Sequence, residues 1–104
     1  MERVTREGKR IRTDSLELRW IASPLGHPGG RVGFIVPRYA QTAVARNRLK
    51  RRLREIARLE ILPRMGSLDA IIRARAEAYR VTFGELRSEL TRMGDRLVSG
   101  AGRE

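Results

Sequence analysis

There is no cysteine in the 104 residues, and with it go disulfide frameworks, zinc-cysteine ribbons and thiol nucleophiles. That absence fits a reducing compartment and sets the expectation of a cytoplasmic protein. Histidine is reduced to His27 alone, set in a Gly/Pro-rich stretch without an acidic neighbour, so neither a metal site nor a general base is built around it. Aromatics are scarce as well, with one Trp, two Tyr and two Phe. No run approaches the roughly 20 apolar residues of a membrane-spanning helix, and the N-terminus lacks the apolar stretch of a secretory signal. A soluble protein with no membrane partner is expected. Paired carboxylates, a Gly-rich phosphate loop and a Ser/His/Asp set are all missing, so no catalytic residue, metal ligand or protein-bound cofactor is assigned.

The most telling shortage is of negative charge. Asp and Glu number 12 against 23 Lys and Arg, giving a formal charge of +11 and an isoelectric point near 11.6. Such a chain repels itself unless its working partner is a polyanion, and nucleic acid leads that class. The length suits one compact domain, expected over residues 1–98, with the polar end at 99–104 too poor in apolar groups to bury and expected to be disordered.

The pattern along the chain is α+β. Residues 1–7 allow barely two helical turns before Gly8. Leu16, Leu18 and Trp20 alternate with Glu17, Arg19 and Ile21, which predicts a strand over 15–21, with a start as early as Lys9 in view and Trp20 in the core. The Gly/Pro-rich loop at 23–30 then suggests a hairpin to a second strand over 31–36, ended by Pro37. From Ala43 to Leu62 the period becomes helical, with Ala45, Leu49, Leu53, Ile56 and Ala57 on one stripe, Thr42 as N-cap and Pro63 as terminator. Residues 69–75, DAIIRAR, read as a strand returning to the sheet. The last helix opens on a capping box of Thr82 and Glu85 with Val81 and Leu86 as staple, and Phe83, Leu86, Leu90, Met93 and Leu97 mark its inward face. The order is α-β-β(-β)-α-β-α in a small mixed sheet packed with helices.

Residues 43–58 concentrate the functional signal, with seven basic residues against Glu55 alone. Arg46, Lys50 and Arg54 form a row at i, i+4 and i+8, with Asn47, Arg51 and Arg58 beside it, pointing away from Leu49, Leu53 and Ile56. Like charges at this spacing cost a few tenths of a kcal/mol per pair, so folding gives no reason for them. Solvated helix faces usually interleave signs. A membrane-surface helix is the competing pattern, but this apolar stripe has no Trp or Phe and is needed for the core. Arginine forks suit phosphate, and Asn47 can address a base edge or a 2′-hydroxyl.

Residues 46–52, RNRLKRR, preceded by Ala43-Val44-Ala45, resemble the RNR signature of the bacterial ribonuclease P protein family, and residues 33–38, GFIVPR, look like the strand leading into it. The resemblance runs from Arg3, Val4 and Gly8 through residues 69–75 to TFGEL at 82–86, nearly the whole chain. It implies a left-handed crossover through the RNR helix, which pattern alone would not suggest because crossovers are usually right-handed. It implies an accessory subunit of a ribonucleoprotein endoribonuclease that removes the 5′ leader from precursor tRNA. The RNA carries the chemistry with Mg2+, and one protein is expected per catalytic RNA. Arg46, Asn47, Arg48, Lys50, Arg51 and Arg54 are the residues it assigns to the catalytic RNA, and Arg19, Ile35, Pro37, Tyr39 and Arg75 those it suggests for a cleft holding the single-stranded leader. The family's usual cleft aromatics are replaced by Met1, Thr5 and Arg19, leaving Tyr39 as a possible base platform. The alternative is another basic α+β protein of structured RNA, such as a ribosomal protein.

Overall fold

The computed structural model describes residues 9–22, 31–64, 66 and 68–101. The expected first helix at 1–7, the loop 23–30 and His27 lie outside them. Four strands form one sheet: β1 (Lys9–Arg12), β2 (Leu16–Ala22), β3 (Arg31–Ile35) and β4 (Leu68–Ala74). Two long helices, α1 (Ala43–Glu60) and α2 (Phe83–Ala101), complete the α+β domain, with short 3-10 turns at Leu62–Arg64 and Ala76–Tyr79.

The strand expected over 15–21 is β2, and the earlier start in view at Lys9 belongs to a separate strand, β1, because residues 13–15 turn the chain. Thr13 donates its N–H to the Leu16 carbonyl at 2.8 Å. Its hydroxyl donates to the Glu89 carboxylate at 2.6 Å, which also accepts the Ser15 N–H at 3.2 Å. Glu89 is buried on α2 and so pins this turn to the last helix.

The expected hairpin between strands 15–21 and 31–36 does not form. The sheet order is β1-β2-β4-β3, with β4 antiparallel to β2 and parallel to β3. Burial gives the reason. Asp69, Ala70, Ile71, Ile72 and Ala74 are all buried and only Arg73 is exposed, so β4, flanked by a strand on each side, is the most covered strand and belongs in the middle. The alanines of β4 also receive the bulky side chains of β2, with Trp20 opposite Ala70 and Leu16 opposite Ala74. The β3-α1-β4 segment is therefore a crossover joining neighbouring parallel strands. The charged edge strand β1 (KRIR) and Pro37 just past the other edge strand, β3, both discourage further pairing.

One face of the sheet and the apolar stripes of both helices share a single core, including Ile11, Leu18, Trp20, Leu49, Leu53, Ile56, Ile72, Leu86, Leu90, Met93 and Leu97. Phe83, assigned to the inward face of the last helix, is instead 40% exposed. It is the first helical residue, and the chain direction is still set there by Thr82 and Glu85, which exchange side-chain and backbone bonds as the capping box requires. α2 also runs to Ala101, three residues into the expected tail, since extending a formed helix is far easier than starting one.

Candidate nucleic-acid interface

The start of α1 is fixed by Thr42, whose side chain accepts the Ala45 N–H at 3.0 Å. Leu49, Leu53, Ile56 and Ala57 bury one side, which turns most of the basic residues outward. Asn47, Lys50, Arg51 and Arg54 line one shallow depression. Among the described residues, Arg48, Lys50, Arg51, Arg52 and Arg54 have no carboxylate partner, whereas most of the acids, on this helix and elsewhere, are already engaged by other groups. Arg58 is held by Glu55 at 2.8 Å, and this contact raises the guanidinium pKa and lowers that of the carboxyl. The first turn of α1 carries no acid, so the partial positive charge of the helix end adds to the excess of the side chains.

Arg46 departs from the expectation that the whole basic row stands clear of the fold. Its side chain is half-buried, and Nε donates to the Val36 carbonyl at 2.8 Å, tying α1 to the end of β3. Arg48 diverges in another sense. Two residues before Lys50, it points round the helix to a second flank shared with Arg52 and the exposed Val44.

The sheet face opposite the core is a second polar surface. Strand alternation and register place Arg10 and Arg12 beside Glu17 and Arg19, these beside Ile71 and Arg73, and those beside Gly33 and Ile35. Glu17, Arg19, Ile35, Ile71 and Arg73 line a pocket of about 140 Å³. Glu17 is only 8% exposed and accepts from Arg19 Nε at 2.8 Å, with Arg12 Nε 3.8 Å from its other oxygen. Along the same face Arg31 grips Asp69 with two bonds of 3.1 and 2.7 Å, which raises the arginine pKa.

Of the leader-cleft candidates, Arg19 and Ile35 thus share a pocket. Pro37 and Tyr39 lie beyond its edge, where Tyr39 donates its hydroxyl to the Ala74 carbonyl at 3.2 Å and the Pro37 carbonyl accepts from Tyr79 at 2.6 Å. Burial raises the Tyr79 pKa, partly offset by the charges of Arg46 and Arg38. Arg75 reaches away to the Thr13 carbonyl at 2.8 Å and fastens the β1-β2 turn. Sequence reasoning missed Glu17, Ile71 and Arg73. The alternation within DAIIRAR held that signal, because residues 71 and 73 must face opposite to 70, 72 and 74.

Among the described residues no cluster of three or more His, Cys, Asp or Glu is placed to hold a metal ion. No described helix is long and apolar enough to cross a membrane.

A small α+β domain that turns a predominantly basic helix and an arginine-rich sheet face outward has the charge distribution that suits a polyanion. The family model for ribonuclease P matches residues 1–98. The ribonuclease P protein component of Acidothermus cellulolyticus is 36% identical over 97 residues, covering 91% of this chain and 79% of that protein. The RNase P protein from Thermotoga maritima superposes with a TM-score of 0.78 at 28% identity, covering 89% of each chain. The Staphylococcus aureus RNase P protein, at 21% identity and a TM-score of 0.77 over 96% of this chain and 86% of that one, shares the fold. The chain belongs to the ribonuclease P protein component family, the protein part of a ribonucleoprotein endoribonuclease of tRNA processing.

Proposed function

We propose that the chain binds the catalytic RNA of ribonuclease P through the outer face of α1, chiefly Asn47, Lys50, Arg51 and Arg54. Arg46 extends that face towards the sheet, and Arg48 contacts RNA from the second flank. The single-stranded 5′ leader of precursor tRNA crosses the sheet face at Arg19 and Ile35, bounded by Pro37 and Tyr39, with Arg73 supplying a cation the pattern had not marked and Arg75 holding the nearby turn. One protein serves one catalytic RNA in the cytoplasm. The hydrolytic chemistry belongs to the RNA and its Mg2+.

The observation that carries this reading is the set of six α1 cations, Arg46 among them, with no carboxylate partner among the described residues, whose acids are mostly occupied. Each phosphate neutralised by such a group releases condensed counterions, and the protein charge replaces part of the magnesium that otherwise screens two RNAs from each other. The test is reconstitution of purified protein with a bacterial ribonuclease P RNA at low magnesium. Precursor-tRNA cleavage should rise, with a larger gain for substrates bearing a leader than for leaderless ones. Cleavage by the protein after rigorous removal of RNA, or no effect of the protein at any magnesium concentration, would defeat the proposal.

A further inference from the structure

The connection from β3 to α1 runs over residues 36–42, between the sheet pocket and the basic helix face, and its backbone is bent in a way few side chains tolerate. Tyr39 has φ 47° and Ala40 φ 66°, two consecutive residues in the left-handed region with neither a glycine nor an asparagine between them. A conformation of this kind persists only where surrounding contacts over-determine it. Those contacts converge on one ring. The Tyr39 hydroxyl donates to Ala74, and its ring meets Tyr79 edge to face, with centroids 6.5 Å apart and planes at 79°. Tyr79 in turn donates to the Pro37 carbonyl at 2.6 Å, and Arg38 Nε closes the turn on the Gln41 carbonyl at 3.2 Å.

For all this fastening, Tyr39 remains 43% exposed. Its hydroxyl and backbone are fixed while the residue stays accessible to a ligand. Its place is also particular. Ala74 follows Arg73 of the sheet pocket, Val36 follows Ile35 of the same pocket, and Arg46, which holds Val36, begins the basic row of α1. Tyr39 therefore stands where the two cationic surfaces meet, with Arg38 and Arg46 near its partner Tyr79 to attract phosphate.

We propose that the Tyr39 ring is a pre-positioned stacking platform for one unpaired nucleotide base, held out by the left-handed turn at Tyr39–Ala40 and flanked by arginines that take the adjoining phosphates. A ring fixed in advance loses little freedom on binding, and its face accepts any base, with purines favoured by their larger overlap. This rests on the RNA-binding reading and adds the nucleotide contact that links its two surfaces. The base comes either from the substrate leader or from an unpaired position of the catalytic RNA.

The test uses the reconstituted holoenzyme with precursor tRNA carrying 2-aminopurine at successive leader positions, and the same substrate without a leader. Tyr39→Leu removes the π face and keeps apolar bulk, whereas Tyr39→Phe and Tyr39→Trp keep a π face. Tyr39→Leu should lose about 5- to 100-fold in affinity, with Phe and Trp recovering most of it. A loss confined to leader-bearing substrate, with loss of 2-aminopurine quenching at one position, identifies the leader as the source. A loss in direct binding of the catalytic RNA identifies the other. Melting temperatures read alongside keep folding separate, and Trp, too large for a purely structural slot, would then fail as badly as Leu. The platform is refuted if Tyr39→Leu binds both RNAs as wild type does, or if Phe and Trp fall as far as Leu. Arg54→Ala is the companion: if it weakens binding while Tyr39→Leu does not, only the platform fails, and if neither does, the RNA-binding reading fails with it.

Discussion

α1 and α2 have 18 and 19 residues, and each feeds an apolar stripe into the same core, yet α1 carries seven basic residues and two acids where α2 carries three of each. The acids of α2 have local tasks. Glu85 closes the capping box, Glu89 anchors the β1-β2 turn, and Asp95 pairs with Arg64. On α1, Glu60 is drawn inward to Arg87 and Thr91 of α2, which leaves Glu55 to face seven cations. Packing dictates where an amphipathic helix sits but is indifferent to the sign of its outer face. The acids of α2 are therefore used within the fold, whereas the basic face of α1 has almost no counter-charge among the described residues.

The largest expected effects are those in which the two helices behave alike. Leu53→Ala and Leu90→Ala each empty a fully buried site and should cost about 2–5 kcal/mol in denaturant unfolding. RNA affinity per folded molecule should be unchanged for both. A Leu53→Ala protein of wild-type stability would mean that α1 is not packed as described.

The contact between the helices comes next. A Cβ at Gly94 would lie 3.0 Å from the Glu60 carbonyl, 3.2 Å from Arg64 Nη1 and 3.3 Å from Ile61 Cδ1. Gly94→Ala should destabilise by about 1–2 kcal/mol despite alanine's better helix propensity, because the obstruction includes backbone. A rise in melting temperature instead would show that the helices are further apart.

The outer faces separate the helices in the opposite way. Lys50→Ala and Arg54→Ala should change stability by no more than about 0.5 kcal/mol, yet weaken catalytic-RNA binding and shallow the log K against log salt slope by up to about 0.9 per lost phosphate contact. Arg92→Ala and Arg96→Ala on α2 should leave affinity and slope unaltered. Arg46→Ala should do both, losing RNA affinity and about 1 kcal/mol of folding stability, since it strips the Val36 carbonyl of its donor. Equal salt slopes for the α1 and α2 variants would erase the contrast between the two helices.

The smallest effect is alkaline. Burial holds the Tyr79 pKa above its ordinary value of 10.0. The unfolded chain therefore releases this proton first, and the associated stability is fully present below about pH 10 and declines as pH rises through the higher folded pKa. Tyr79→Phe should flatten the fall of melting temperature above pH 10, and an unchanged slope would remove Tyr79 as its source.

What the sequence determined by itself was local or summed over the whole chain. The N-cap at Thr42, the Thr82–Glu85 box, the alternation through Leu16, Leu18 and Trp20, and the stripe of Leu49, Leu53 and Ile56 all depend on neighbours within a few positions. The charge surplus and the RNR run needed no folding to be seen. Tertiary structure decided the rest. Nothing near β2 or β3 announces that β4 separates them, because strand order is settled by which strand gains most from a neighbour on each side. Gly94 meets Glu60 and Arg46 meets Val36 only once the helices and sheet are docked. Tyr39 and Ala40 carry no residue signal for a left-handed turn, and that conformation exists because bonds to Ala74, Pro37 and Gln41, distant or local, together outweigh its strain.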